Sequence, residues 1–517
     1  MNAYDFIVIG SGFGGAVSAL RLAQKGYKVA ILEKGLRYKA EDFPKTNWNL
    51  RRSIWMPKLG LLGIQSLTLL RHVLALNGVG VGGGSLVYAN QLIVPEDNIF
   101  EKPEWGGSGW KHKLAPHYQE ASRMLGAVIC PSIGNADQVL REVGIELRGE
   151  DTFHINPVGV FFGEPDKTVP DPYFGGEGPE RTGCKLCGAC MIGCPNGAKN
   201  TLDKNYLYMA EKLGVTIIPE TEVKQVKPLS ERRYQIVAVS SHGLSKKETI
   251  FECGSVVFSG GVLGTVKLLL ECKEKGLLPN LSDKVGDFTR TNSEAILGVD
   301  SRDRSMDWND HIAITSGIYP DENTHIEIVR YNKGSDVMYA LATVLTDGGG
   351  KIPRILRFFG NILIHPLQFL RGLWIPGQSA RTSLILVMQS TENYLRIKKT
   401  RSGLDSTLPE MGKRIPTYIP IANQVTRRMA EKMRGFPKGS WFEVLLDAPT
   451  TAHILGGCVM ANSPSEGVVD QEGRVFGYQG LYVADGSVVP VNLNANPALT
   501  ITALAEYIMA QIPSKSV

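Results

Sequence analysis

DFIVIGSGFGGAVSALRLAQKGYKVAILEK, residues 5–34, is the stretch on which the reading of this chain turns. An apolar run over 6–9 leads straight into Gly10-Ser11-Gly12-Phe13-Gly14-Gly15. A helical pattern follows, and a second apolar run, 29–32, ends on Glu33. This is the strand, tight turn, helix and strand of a dinucleotide-binding unit. Gly10 permits the turn, Gly12 lets backbone approach a pyrophosphate, and Gly15 lets helix pack on strand. Unpaired N–H groups where the helix starts, around Ser11 and Gly14, face the phosphates. Glu33 stands where an acid accepts hydrogen bonds from a ribose. The expectation is a bound dinucleotide; the alternative is a glycine-rich turn of an ordinary α/β protein.

Working outward, 517 residues are too many for one compact core, so at least two domains are expected. A composition of 43% hydrophobic and 21% charged residues is that of a soluble globular protein. The net charge, 56 − 51 = +5, comes without a long Lys/Arg run, which argues against nucleic acid as a partner. The first strand starts too near Met1 for a signal peptide, and no apolar stretch is long enough to span a bilayer. The expected location is the cytoplasm, including the inner face of its membrane. Eight cysteines in that compartment do not make a disulfide framework.

Residues 36–78 form a long connection with Arg51, Arg52, Trp55 and Lys58, and a second glycine-rich loop, GVGVGGGS, spans 78–85. Such glycine density is expected where backbone passes close to a flat ligand. The pattern predicts a helix over 202–213 and strands over 215–219 and 221–226. A strand over 251–259 runs into a glycine turn and a helix over 266–272, repeating the opening logic. Residues 311–345 and 381–398 alternate as antiparallel strands with one wet face. The fold class is therefore α/β: a discontinuous Rossmann-like domain with a parallel sheet, over 1–95, 200–298 and 445–517, and a substrate domain with a mostly antiparallel sheet, over 96–199 and 299–444.

Four ordered motifs carry a resemblance: Gly82-Gly83-Gly84-Ser85-Leu86-Val87; the turn from Phe258 to Gly264; His453-Ile454-Leu455-Gly456-Gly457-Cys458; and Asp485-Gly486-Ser487 followed by Asn496-Pro497-Ala498-Leu499-Thr500. The chain resembles the glucose–methanol–choline (GMC) flavoprotein oxidoreductases, and within them the bacterial cholesterol oxidase branch. The likeness runs from the first strand to the last helix and is weakest over 100–180 and 300–440. It implies FAD as the dinucleotide, with Gly83, Gly84 and Ser85 along flavin and pyrophosphate and Val223 near the adenine. It places Asp485 and Gly486 by the ribityl chain, and Asn496 and Pro497 at the isoalloxazine. It also implies that His453 and Asn496 hold the substrate hydroxyl, the imidazole as partner or base and the carboxamide as orienting group.

The chain departs from that pattern twice. Related sterol oxidases carry a substrate-domain glutamate that moves a double bond, yet the strand expected to hold it, 382–389, has no acid. Glu392 and Glu443 are the substitutes considered. Where the family has Asn after GGGSLV, Tyr88 stands here, with Asn90 two residues on as the candidate cofactor contact.

Cys184, Cys187, Cys190 and Cys194, followed by Pro195, reproduce the ferredoxin spacing C-x2-C-x2-C-x3-C-P. The expectation is an iron–sulfur cluster, 4Fe–4S or 3Fe–4S; zinc and a reduced metal-free loop are the alternatives. Between 351 and 378, Arg354, Arg357, Asn361, His365 and Gln368 share one stripe of a helical wheel, and Pro366 should kink or divide the helix. Such a segment suits a lid at a membrane interface or a helix on the protein's own core.

The functional expectation is an FAD enzyme oxidising a hydrophobic alcohol, sterol-like or another lipid. Electrons leave through the cluster or pass to oxygen, a quinone or a redox protein. One rival is a cluster-fed flavoenzyme that reduces or isomerises an unsaturated lipid or ketosteroid. The other is a non-catalytic redox-sensing flavoprotein.

Overall fold

The computed structural model describes residues 3–243, 247–401, 403–409 and 414–516. The opening strand, Ala3–Ile9, pairs in parallel with Val29–Leu32 on one side and Glu248–Phe258 on the other. Thr216–Ile218 extends the sheet beyond Val29–Leu32, and Leu481–Val483 adds a further parallel strand against Glu248–Phe258. Arg233–Ser240 and Thr221–Ser230 complete it in antiparallel fashion. One sheet thus gathers strands from three separated parts of the sequence. Val29–Leu32 is buried at every position, as a parallel strand covered on both faces must be. Helix Phe13–Gln24 covers one face, packed against the final helix Ala498–Ala510.

The second sheet is antiparallel throughout. Its order is Ala342–Val344, Gly435–Ser440, Ala295–Ser301, Thr382–Gln389, Thr324–Val329, Ser316–Asp321 and Phe153–Ile155. The alternation over 311–345 and 381–398 does mark strands of this sheet. The wet face it suggested is absent, however, for Thr324–Val329 is buried along its whole length. Helices Asn135–Arg148 and Pro420–Lys432 cover one face, where Ile326 and Ile328 meet Ile385 and Val387. The other face looks toward the first sheet. Glu327 lies opposite Leu386 in the register, and Val329 opposite Leu384, so these four share that inward face.

The helix expected over 202–213 is a short turn, Leu202–Lys204, then Tyr206–Lys212. The segment after Lys351 is divided at Pro366, into Arg354–Ile364 and Pro366–Leu373. Among the described residues, no helix is long and apolar enough to cross a membrane.

The opening glycines do different work. Gly10 has φ +98°, and a Cβ on Gly14 would lie 1.5 Å from the carbonyl oxygen of Ala484. A Cβ on Gly12 meets no protein atom within 4 Å, and its backbone is extended. Gly14→Ala must therefore push the strand end at Ala484 away, at a cost of about 1–3 kcal/mol or more. Gly12→Ala should melt within about 0.5 kcal/mol of the parent yet lose the flavin that the resemblance implies, because its methyl would fill open space beside the turn. Thermal melting of the apoprotein and flavin absorbance after gel filtration check both; a Gly12→Ala protein that keeps its flavin counts against this account.

Candidate active site

A cavity of about 610 Å³ runs between the two sheets. At one end it is lined by Gly10, Ser11, Gly12, Gly14, Glu33, Gly83, Gly84 and Val223, and at its middle by Asp485, Gly486, Asn496 and Pro497. Two helices, Phe13–Gln24 and Gly261–Glu274, open on it; no side chain caps the first, while at the second the Thr265 hydroxyl and the Asp485 carboxylate accept from the Gly260 and Gly261 N–H groups. The uncapped terminus presents unpaired N–H groups and a partial positive charge to phosphate. Gly261 and Gly264, like Gly12, face empty space within 4 Å. These residues fit a dinucleotide stretched along the groove. Glu33 is already partly engaged: Oε2 accepts from the Ser11 backbone N–H (3.0 Å) and hydroxyl (2.8 Å), and Oε1 from the Gly35 N–H (2.8 Å). A carboxylate accepts up to about four hydrogen bonds, so capacity for a ribose remains.

Three expected cofactor residues are not part of the lining. Gly15 packs against the strand, a Cβ there falling 2.0 Å from the Gly10 carbonyl oxygen. Ser85 is fully buried and braces the glycine loop, its hydroxyl donating to the Gly82 carbonyl (2.7 Å) and accepting from the Leu202 N–H (3.1 Å). Asn90, in a left-handed conformation, is turned away and lies beside the Cys190 thiol. Asp485 lines the groove but is fully satisfied, accepting from Ser487 and from the Thr265 hydroxyl (2.6 Å). It ties helix Gly261–Glu274 to the loop that follows strand Leu481–Val483.

At the far end the walls turn apolar: Ile314, Val329, Tyr331, Met338, Leu384 and Leu386. His453 and Asn496 stand where this chamber meets the groove. Both are fixed by one short stretch. Asn292, itself left-handed, donates to the Ala495 carbonyl (3.0 Å) and accepts from the Asn494 N–H (2.9 Å), just before Asn496. Thr451 donates to the Thr291 carbonyl (3.0 Å) and accepts from the His453 N–H (3.0 Å). Glu294 accepts from the Ala452 N–H (2.8 Å) and sets its other oxygen against His453 Nδ1.

Burial alone would lower the basicity of the His453 imidazole. The Glu294 carboxylate, helped by Glu327, overcomes this and raises it above the ordinary value. Asn496 donates to Glu327 (3.1 Å), and Asn156 donates to the other oxygen of Glu327 (2.8 Å) and to Gln91 (2.6 Å). Glu327 has no exposure to water, and burial pushes its carboxyl up to about 7. Asn496 Oδ1 is buried with no protein partner.

Glu327 and Glu294 are the functional residues that sequence reasoning missed. Glu327 stands on the strand next to Thr382–Gln389 and faces the same side. Glu392 is exposed beside Glu104 and Arg290, and Glu443 is buried against Arg354; neither lines the cavity.

Cys184, Cys187, Cys190 and Cys194 line one small pocket with Val160, Ala198, Ile312 and Lys199. Its volume, about 10 Å³, is that of one water molecule. Burial raises the thiols of Cys184, Cys187 and Cys190, the last to about 11. Among the described residues no group of three or more His, Cys, Asp or Glu side chains is placed to hold a metal ion. The iron–sulfur expectation has no support in this arrangement.

Family models described as GMC oxidoreductase match residues 179–274 and 414–505, and one described as FAD binding domain matches 5–40. A cholesterol oxidase of Acinetobacter baumannii is 45% identical over 99% of this chain and 95% of its own length. One from Mycobacterium tuberculosis H37Rv is 45% identical over 99% and 91%. A long-chain-alcohol oxidase of Arabidopsis thaliana is 26% identical over 98% and 67%. In fold, the chain is similar to a pyridoxine 4-oxidase from Mesorbium loti (TM-score 0.60, 13% identity, 98% of each chain) and to a formate oxidase of Aspergillus oryzae (0.63, 14%, 98% of each). With near-full-length relatives at this identity, and a dinucleotide groove ending at an imidazole and a carboxamide, the chain belongs to the GMC oxidoreductases, FAD-dependent enzymes that oxidise CH–OH groups.

Proposed function

We propose that this enzyme oxidises the hydroxyl group of a lipophilic alcohol, sterol-like or long-chain, to a carbonyl. One observation carries the reading. At the head of an apolar chamber, Asn496 commits one amide N–H to Glu327 and keeps the other for a ligand oxygen, beside an imidazole whose other nitrogen is already held by a carboxylate. Apolar walls accept a hydrocarbon body, and the polar pair takes its single hydroxyl.

With Nδ1–H held by Glu294, the neutral ring of His453 offers Nε2 as a proton acceptor. The hydroxyl proton passes to Nε2, the carbon-bound hydrogen leaves as hydride, and the carbon–oxygen bond becomes double. Bound FAD supplies the hydride acceptor. Glu294 faces the imidazolium that results, and this attraction is what keeps the ring basic despite burial. Asn496 fixes the substrate oxygen with the N–H not committed to Glu327. We assign oxygen as the final electron acceptor, on the strength of relatives named oxidases; a quinone or redox protein would show as turnover without peroxide.

Glu327 supports a second step on an unsaturated substrate. A carboxyl near neutrality can take a proton from the carbon between alkene and new carbonyl and return it at the far alkene carbon. Charge balances without a further reactant. Asn496 stands between Glu327 and the chamber, so its carboxamide must turn aside for this step.

His453→Ala, with flavin retained, should lower kcat by about 100-fold or more; parent-like turnover would remove His453 from the reaction. Glu327→Gln should still form the ketone from a β,γ-unsaturated sterol but fail to conjugate it, seen as missing enone absorbance. In the parent, the double-bond shift should fall as pH drops through about 7, where Glu327 becomes protonated. A Glu327→Gln enzyme that conjugates its product at the parent rate sinks that role.

A further inference from the structure

Helices Arg354–Ile364 and Pro366–Leu373 are mounted with their polarity reversed. Their polar stripe faces the protein. Arg354 donates to the carbonyls of Thr346 (3.0 Å) and Thr417 (2.6 Å), and Asn361 to that of Leu345 (3.2 Å). Arg371 grips Asp300 with two bonds of 3.1 Å each. The opposite face carries Leu356, Phe359, Leu363, Ile364, Leu367 and Leu370 into the open; Leu363 is 82% and Leu367 78% exposed. A surface helix ordinarily turns its apolar stripe inward. Single exposed leucines need no explanation, but a contiguous apolar face does.

Other observations select the occupant. No Asp or Glu occurs from 348 to 391; Lys351 is exposed at the head of the pair, while Arg354, Arg371 and Arg381 are turned inward onto Glu443 and Asp300. Trp374, exposed, ends the face. Asp336 accepts from the Gly377 N–H (2.9 Å) and the Ser379 N–H (2.7 Å), and beside it Asn47 accepts from the Val337 N–H (3.1 Å). That junction brings up a second exposed tryptophan, Trp48, with exposed Arg51, Arg52 and Lys58 close behind in sequence. An apolar face edged by tryptophan and cations suits the headgroup–acyl boundary of a membrane with anionic lipid. Beneath, the helices pack on Ala342–Val344, and Leu341 and Ala342 line the substrate chamber.

We propose that this helix pair seats the enzyme on a lipid bilayer, its apolar face sunk below the headgroups, and that the alcohol is drawn from that bilayer. The docking stands on the surface alone; the source of the alcohol rests on the function proposed above.

The test is flotation of the full-length flavoprotein with phosphatidylcholine vesicles, with and without phosphatidylglycerol. The parent should float with the vesicles, more so with the anionic lipid. A Leu363→Asp/Leu367→Asp variant, both sites nearly fully exposed and its melting temperature unchanged, should partition at least about tenfold less. Equal flotation of parent and variant, or none by the parent, overturns the proposal. So does a parent dimer, seen in sedimentation velocity, that the variant splits, because a second copy would then be the occupant. Binding is read without turnover, so its failure leaves the alcohol assignment to be judged by its own assay.

Discussion

The stretch 291–294 is the constraint on which the site depends. In four residues it holds Thr451 beneath His453, the segment leading to Asn496, and the imidazole itself through Glu294. Asn292 and Ser293 both take left-handed backbone, which turns the chain sharply before strand Ala295–Ser301 begins. Such conformations persist only where the surroundings over-determine them, and here hydrogen bonds from two distant segments do so. His453 and Asn496 lie 43 positions apart; their juxtaposition is a property of this clamp.

The clamp also explains how ionisable groups survive out of water. A lone buried carboxylate costs several kcal/mol, so each here has partners. Glu294 meets an imidazole and a backbone N–H; Glu327 meets two carboxamides, and its proton affinity rises to neutrality because neutral donors compensate less than a cation does. One site thus contains a base strengthened by an acid and an acid weakened by burial. On the function proposed above, proton removal at oxygen and at carbon falls to different side chains.

The dinucleotide groove was legible because glycine positions report on backbone, and backbone close to a ligand admits few alternatives. Gly10, Gly12 and Gly14 stand where the motif puts them. His453 and Asn496 were legible only through resemblance, since nothing local distinguishes them. Glu327 was not legible: a strand buried on both faces loses the alternation that reveals which residues look inward. The side chains of Ser85 and Asn90 turn away from the groove; adjacency to a glycine loop does not say which way a side chain points. The cysteine spacing fixes an order along the chain, but convergence depends on the turns between. Left-handed Leu186 and Cys194 and the turn Ala189–Ile192 close these thiols around a space for one water.

Periodicity has a further limit, visible after Lys351. A helical wheel separates an apolar from a polar face but carries no sign: it does not say which face the protein keeps. The partners decide. Arg354 and Arg371 find buried carboxylates, Glu443 and Asp300, and unpaired backbone carbonyls lie within their reach. Charge-assisted bonds to such groups are stronger than neutral ones, and removing a cation would strand a buried acid. Turning the helices over would hide the leucines, worth about 1.5–3 kcal/mol each, only by leaving Glu443 without its cation and Asp300 with Arg381 as its remaining close partner. The polar interior therefore dictates the apolar exterior, and an outward face produced this way is fixed in place by the packing beneath it.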